Sequence, residues 1–377
     1  MGEKVLITGG AGFIGSHLAD ELLRAGYEVR VLDSLLAQVH GPMDGPPAYL
    51  SDAVEFLQGD VRDRDSVREA LHGVDAVFHL AAAVGVGQSM YEVEHYTGIN
   101  VLGTAVVLEA IIDCPVRKLV VASSMSIYGE GLYRDTRGRL VQQARRVPAQ
   151  FGRGQWEPLD PWGQPLEPVA TDEDKRPDLW SIYAMGKYDQ EQMALMIGRT
   201  YDFDVTALRF FNVFGPRQAL SNPYTGVLAI FASRLLNDKP PMIFEDGLQR
   251  RDFVSVHDVA RAARMALENP AAAGQVLNVG SGRSYTIYDV AQNMARILDR
   301  PIEPIISGKY RTGDIRHCFA DISKAKGLLG YEPQVYLEEG LTELADWLGG
   351  QRAIDRVEQA TLELEKRGLT LRRGDLS

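Results

Sequence analysis

The segment Val5-Leu-Ile-Thr-Gly-Gly-Ala-Gly-Phe-Ile-Gly15 constrains this chain more than any other. An apolar strand, Val5 to Ile7, runs into Gly9, Gly12 and Gly15, then into a helix with Leu18, Leu22 and Leu23 on one side. Gly26 stands where a helix C-cap is expected. Glu28-Val-Arg-Val-Leu-Asp33 follows, alternating like a strand and ending in a carboxylate. Strand, glycine turn, helix, strand and acid in this order form a dinucleotide-binding unit. The glycines let main chain approach a pyrophosphate, whose charge is favoured at a helix N-terminus. Asp33 would accept hydrogen bonds from a ribose diol and repel a 2′-phosphate, so the pattern predicts NAD rather than NADP.

The alternation continues. Val54 to Asp60 reads as a third strand ending in an acid, and Asp65 to Leu71 as a helix. Asp75 to Leu80 is a fourth strand, followed by Ala81-Ala-Ala83, small residues that admit a flat cofactor or simply pack tightly. Tyr96 to Ile112 predicts a helix whose Asn100, if buried, needs hydrogen-bond partners. Lys118 to Ala122 is a fifth strand ending in Ser123-Ser-Met-Ser126. Repeated βαβ units predict an α/β protein, a Rossmann-type doubly wound parallel sheet with ligands at the carboxyl ends of the strands. A smaller C-terminal substrate-binding lobe should follow. The division expected is 1–208 for the NAD-binding domain with an insertion at about 130–178, 209–350 mainly for the second lobe with some returns to the first, and 351–377 for a helical tail.

With 45% hydrophobic residues in 377, the chain suffices for two lobes. A formal charge of −11 argues against nucleic acid and anionic membrane surfaces as partners. No apolar run of spanning length is expected. The first strand begins by Lys4, which leaves no room for a signal peptide. Cys114 and Cys318, far apart, suggest neither a disulfide framework nor a thiolate metal site. The expectation is a cytoplasmic protein without a metal.

Tyr183 and Lys187 stand four apart in Ser181-Ile-Tyr-Ala-Met-Gly-Lys, a spacing that places both on one helical face. A cation beside a phenol favours the phenolate, giving a base for an alcohol proton. Ser124, at the rim of the fifth strand, could hydrogen-bond the same oxygen. The spacing is common by chance and acquires weight from the glycine turn that precedes it.

Taken together, these residues resemble the extended short-chain dehydrogenase/reductase family, and within it the nucleotide-sugar 4-epimerases such as the UDP-galactose enzymes. The resemblance spans roughly residues 3–350 and rests on ordered blocks: TGGAGFIG, Asp33, Gly59-Asp60-Val61, HLAAAV, Asn100, SSMSIYG, YAMGK, RFFNVFGPRQ, QRRDFVSVHDV, LNVGSG, RTGDIRHCFAD and GYEP. It implies that Gly9, Gly12, Phe13, Ile14 and Gly15 cradle the NAD pyrophosphate, that Asp33 and Ser34 hold the adenosine ribose, and that Asp60 and Val61 flank the adenine. Leu80, Ala81 and Ala82 would line the cofactor above Asn100. Ser124, Tyr183 and Lys187 would be the catalytic group, with Phe210 and Phe211 beside the nicotinamide. Asn212, Arg251, Arg311 and Asp314 would grip the nucleoside diphosphate, Ser126 and Arg217 would also face the substrate, and Cys318 would stand where some epimerases narrow the sugar pocket with a tyrosine. Val84 replaces a cofactor-contacting lysine. Arg217, Arg250, Arg251, Arg311 and Arg316 supply cations that suit phosphate. The implied reaction is C4 epimerisation of a UDP- or dTDP-hexose through a transient 4-keto sugar, with NAD tightly bound. A homodimer would form through the helices Tyr96–Ile112 and Ile182–Gly198.

Two segments depart from the family. Residues 130–178 carry Arg134, Arg137, Arg139, Arg145, Arg146 and Arg153 with Trp156 and Trp162, as an active-site lid or a surface excursion. Trp156 to Gln164 turns like a zinc knuckle without its thiols, so no metal is expected there. Ile354 to Lys366 is a charged helical stretch that packs on a neighbour or stands in solvent. Three other activities share these features. A nucleotide-sugar 4,6-dehydratase needs an Asp-Glu pair after the strand-end serine, where this chain has Met125 and Ser126. A net oxidoreductase would release its cofactor, and a non-catalytic NAD sensor would not need both Tyr183 and Lys187.

Overall fold

The apolar run at the start of the chain becomes the middle of a parallel sheet. The computed structural model describes residues 2–220, 222, 224, 226–311, 313–351, 355 and 357–371. In it β1 (Lys4–Thr8) lies between β2 (Glu28–Asp33) and β4 (Ala76–His79), and β3 (Glu55–Gln58) flanks β2. Next to β4 come β5 (Lys118–Ser124), β6 (Asp204–Phe210) and β7 (Val276–Val279), all parallel. Chain order reverses between β1 and β4, which opens a crevice at the carboxyl ends of these two strands. Side-chain alternation explains why both sheet faces are covered. Val5 and Ile7 pack with Leu18 and Leu22 of α1 (Phe13–Arg24), while Leu6 packs with Val67 of α2 (Arg64–Leu71), Val106 of α3 (Gly103–Asp113) and Ala194 of α4 (Ile182–Tyr201).

The expected helix Tyr96–Ile112 is not regular. It runs as Val93–Thr97, a π turn at Gly98–Leu102, and α3. The π turn carries Asn100, fully buried, and such turns commonly mark functional positions. Contrary to expectation, Val93–Asp113 is long and apolar enough to cross a membrane by length and composition alone, with mean hydropathy 1.3. Half of its most apolar window is buried within the protein. Gly186 of α4 lies close upon it: a Cβ there would meet the Asn100 Cβ at 3.2 Å.

A second core gathers Phe231 and Leu235 (helix Val227–Leu236), Val290 and Met294 (helix Ile287–Ile297), and Leu341 and Leu344 (helix Leu337–Leu348). The insertion forms a three-stranded antiparallel sheet, with Leu132–Arg134 between Leu140–Val141 and Glu167–Val169, plus the short helix Pro148–Gly152. The tail supplies a helix, Val357–Lys366, and a strand, Thr370–Leu371, antiparallel to Tyr310–Arg311. Ile354, where the charged stretch begins, lies outside the described residues.

Candidate active site

The glycines divide into those that pack and one that leaves room. Gly9 has φ 71°, and a Cβ there would lie 2.8 Å from Ala81 backbone atoms. A Cβ on Gly15 would run into the Gly9 carbonyl and the Gly10 Cα. At Gly12 a Cβ would meet only the Gly9 carbonyl, at 3.3 Å, and Gly12 begins α1 with no side-chain cap. The first-turn N–H groups at Phe13, Ile14 and Gly15 therefore face space that an anion can enter. Asp33 is fixed beside them. Its two oxygens accept from Ala11 N at 3.0 Å and Leu35 N at 2.9 Å, and the exposed Ser34 follows. An uncapped helix end above an open glycine, with a carboxylate locked next to it, fits the pyrophosphate and ribose of NAD. Tyr49, which the sequence did not single out, donates to the Ala11 carbonyl at 2.8 Å. Burial, then the Asp33 charge, pushes its phenol up to about 12.

The remaining cofactor positions differ in what they can offer. Asp60 is ion-paired with Arg62 at 2.6 Å. Val61 is buried against Gly103, so its side chain serves the core rather than a base. Leu80, Ala81 and Ala82 are half-buried at the end of β4. Asn100 holds the next residue on both sides: its Oδ1 accepts from Ala83 N at 2.8 Å and its Nδ2 donates to Ala83 O at 3.1 Å. Asn100 is thus a positioning residue for this loop. Val84 is exposed.

Ser124 ends β5, and α4 brings Tyr183 and Lys187 to it. Ser181 caps α4 by accepting from Ala184 N at 3.0 Å, while Ser89 Oγ accepts from Tyr183 N at 3.1 Å. Tyr183 and Lys187 are both buried. Ser126 Oγ donates to Ser124 Oγ at 2.9 Å, so it orients that hydroxyl directly. The phenol is not depressed as the spacing predicts. Burial raises the Tyr183 pKa, and the hydrogen bond with Ser124 works against that rise. Lys187 instead donates to the Ala122 carbonyl at 3.0 Å, and burial pushes its ammonium down to about 7. Desolvation, which disfavours either charged form, is the leading cause for both groups.

Beneath this group lies a polar network that the sequence did not reveal. His79 bonds Thr8 Oγ1 at 2.7 Å and Thr104 Oγ1 at 2.9 Å, and Gln190 donates to Thr104 at 2.8 Å. Burial, then Lys187, lowers His79 to about 3, which keeps it neutral. Next along α4, Glu191 accepts from Ser123 at 2.6 Å and from two nitrogens of Arg209, at 2.9 and 2.7 Å. Arg209 also reaches the Tyr128 hydroxyl at 3.0 Å, and that hydroxyl donates to Asn278 at 2.7 Å. The network ties α4 to β5, β6 and β7. Only its distant pairing, invisible in a linear pattern, made it hard to find.

Phe210 and Phe211 are buried at the end of β6, and Asn212 has a buried Oδ1 with no partner among the described residues. The Arg251 guanidinium is held by the carbonyls of Arg250, Ile315 and Arg316. Arg311 lies over the Phe244 ring at 4.5 Å, with Nε buried and unpartnered among the described residues. Asp314 accepts from Arg146 through its main-chain oxygen. Two expected cations are neutralised by carboxylates instead. Arg217 pairs with Asp20 on α1 at 2.9 Å, and Arg316 is fully buried among Glu157, Glu245 and Asp246. Cys318 is 1% exposed among Met125, Tyr128, Phe211 and Ala320, and burial pushes its thiol up to about 12. It is packed within this cluster.

The insertion is anchored rather than loose. Arg146 pairs with Glu130 at 3.1 Å and Glu245 at 2.6 Å, and Glu157 takes Arg316 at 2.6 Å and His317 at 2.8 Å.

The profile of the NAD-dependent epimerase/dehydratase family matches residues 5–146 and 159–280. The gap falls inside the insertion. The chain is 35% identical to a dTDP-L-rhamnose 4-epimerase of Burkholderia thailandensis, over 92% of this chain and 95% of that one. It is similar to the structure of a UDP-glucose 4-epimerase from Thermotoga maritima with UDP-glucose, at a TM-score of 0.74 and 32% identity over 92% of this chain and 98% of that one. A Thermus thermophilus UDP-glucose 4-epimerase in complex with NAD has the same TM-score at 31% identity, over 93% of this chain and 100% of that one.

Proposed function

The chain belongs to the NAD-dependent epimerase/dehydratase family, and on that premise we propose that it is a nucleotide-sugar 4-epimerase acting on a UDP- or dTDP-hexose. The observation that carries this reading is the assembly of Ser124, Tyr183 and Lys187 at the carboxyl end of β5, in the same parallel sheet whose β1 ends in the open glycine turn. We assign residues 1–208 to cofactor binding, 209–350 mainly to the nucleotide sugar, and 351–377 to a tail.

When bound, NAD supplies a reversible hydride acceptor and ends each turnover in its starting state. Gly12 and the first turn of α1 bind its pyrophosphate, and Asp33 its adenosine ribose. Tyr183, as the phenolate that the positive charge of bound NAD would favour against the effect of burial, takes the proton of the sugar 4-hydroxyl and returns it when the 4-keto sugar has turned over. Ser124 orients that oxygen and is itself oriented by Ser126. Lys187 is held by the Ala122 carbonyl, one turn below the phenol. Asn212, Arg251 and Arg311 receive the diphosphate. Elimination of water would need an acid and a base beside Ser124. Met125 is a buried thioether and Ser126 is committed to Ser124, so the chemistry stops at the epimer.

The exposed apolar residues Val93, Leu102, Met185 and Met196, all on the paired helices Val93–Asp113 and α4, support a homodimer through a four-helix bundle. We place the protein in the cytoplasm, a reading supported by its two free thiols.

Incubation with UDP-glucose, UDP-N-acetylglucosamine, UDP-glucuronate and dTDP-L-rhamnose, with NMR of the products, tests the assignment. At least one should equilibrate with its C4 epimer, and Tyr183→Phe should lose at least ~10²-fold in rate while still binding NAD. A native enzyme inert toward every one, or a Tyr183→Phe variant of near-native rate, would contradict it.

A further inference from the structure

The terminal segment reaches both halves of the molecule. On the cofactor side, Arg367 lies over the Tyr91 ring at 4.1 Å, and Leu364 packs against Gly87, where a Cβ would meet it at 3.3 Å. Gly87 is two residues from Ser89, whose hydroxyl holds the Tyr183 amide. On the nucleotide side, Glu365 pairs with Lys309 at 2.6 Å, and Asp355 with Lys239 at 3.0 Å. The strand Thr370–Leu371 then continues the ladder beside Tyr310–Arg311. Leu371 packs with Phe151, Trp156 and Tyr310, which locks the strand against the insertion.

Arg311 and Thr370 are directly paired in this antiparallel ladder, so their side chains leave the same face. Each carries a buried polar atom that nothing among the described residues answers: Arg311 Nε and Thr370 Oγ1. Thr370 is only 5% exposed. A buried hydroxyl left unpaired is costly, and a guanidinium can only donate. The Arg311 Nε–H and the Thr370 O–H can both donate, and two donors side by side suit a group made of acceptors, such as a phosphate. The Arg311 plane is already fixed by its stacking on Phe244.

We propose that the segment Val357–Leu371 is a strap across the nucleotide end of the site, and that Thr370 is a substrate-binding residue whose hydroxyl joins Arg311 in holding the diphosphate of the nucleotide sugar. The proposal rests on the assignment of Arg311 to the diphosphate, and it adds a contact supplied from the tail. Calorimetric titration of the NAD-loaded enzyme with UDP and with dTDP tests it. Thr370→Val should bind whichever nucleotide the native enzyme prefers about tenfold more weakly, the scale of one charge-assisted hydrogen bond. Thr370→Ser should bind it like the native enzyme, and NAD content should be equal in all three. Saturating nucleotide should also slow tryptic cleavage at Lys366 and Arg367. Native affinity in Thr370→Val, equal weakness in Thr370→Ser, or cleavage indifferent to nucleotide would overturn the proposal and leave the epimerase assignment standing. A native enzyme that binds neither nucleotide would overturn both.

Discussion

Lys187 is a charge that the fold resists carrying. Its ammonium is buried, donates to one carbonyl, and has a pKa pushed down to about 7. An unfolded lysine keeps its proton to about pH 10.4. Between those values the unfolded state holds more protons, so the contribution of Lys187 to native stability rises with pH and is least favourable at pH 7 and below. Lys187→Met should therefore raise stability at pH 7 by on the order of 1 kcal/mol, lose that advantage toward pH 10, and abolish turnover at either pH. Thermal unfolding at the two pH values checks this, and a lower melting temperature at pH 7 would contradict it. The pairing of Tyr183 and Lys187 was legible from a spacing of four. Their ionisation was not, because it depends on how deeply the fold buries them. The same holds for Arg316: as a letter it is a candidate phosphate cation, and in the fold three carboxylates surround it.

The glycine turn was readable as an element because each glycine answers a local geometric demand. Those demands differ, and they separate binding from folding. Gly12 has φ −74° and space around its α-carbon, whereas Gly15 meets backbone on two sides. Gly12→Ala should melt within a few degrees of the native protein and bind NAD at least ~10-fold more weakly, because the added methyl enters the pyrophosphate space. Gly15→Ala should lower stability by roughly 2 kcal/mol through overpacking. Calorimetry and thermal melts on both variants check the contrast, and equal losses of stability would contradict it. The insertion was the least legible element. Its position beside the site followed from chain order, but its anchoring depends on Arg146 meeting Glu245 and Glu157 meeting Arg316, partners far apart in sequence. The π turn at Asn100 was hidden too, and its Asn100 bonds the Ala83 backbone of a different element.

At the scale of the whole molecule, order along the chain foretold the parallel sheet, since βαβ connections leave little choice, while the strand order and its reversal between β1 and β4 came only with the structure. Assembly is less determined. The helix Val93–Asp113 is half-buried in one copy and, with α4, leaves Leu102 and Met185 exposed. Light scattering should give a dimer at micromolar concentration, and Leu102→Glu combined with Met185→Glu should shift it toward monomer; a monomeric native protein would contradict the bundle. The central claim is that a sugar C4 is oxidised and reduced within one site, with nothing exchanged with solvent. A nucleotide hexose carrying deuterium at C4, incubated with the native enzyme in ordinary water, tests this most directly. The account predicts that the epimer formed keeps the deuterium at C4. Loss of the label to solvent, or a product that has lost water across C5 and C6, would contradict it.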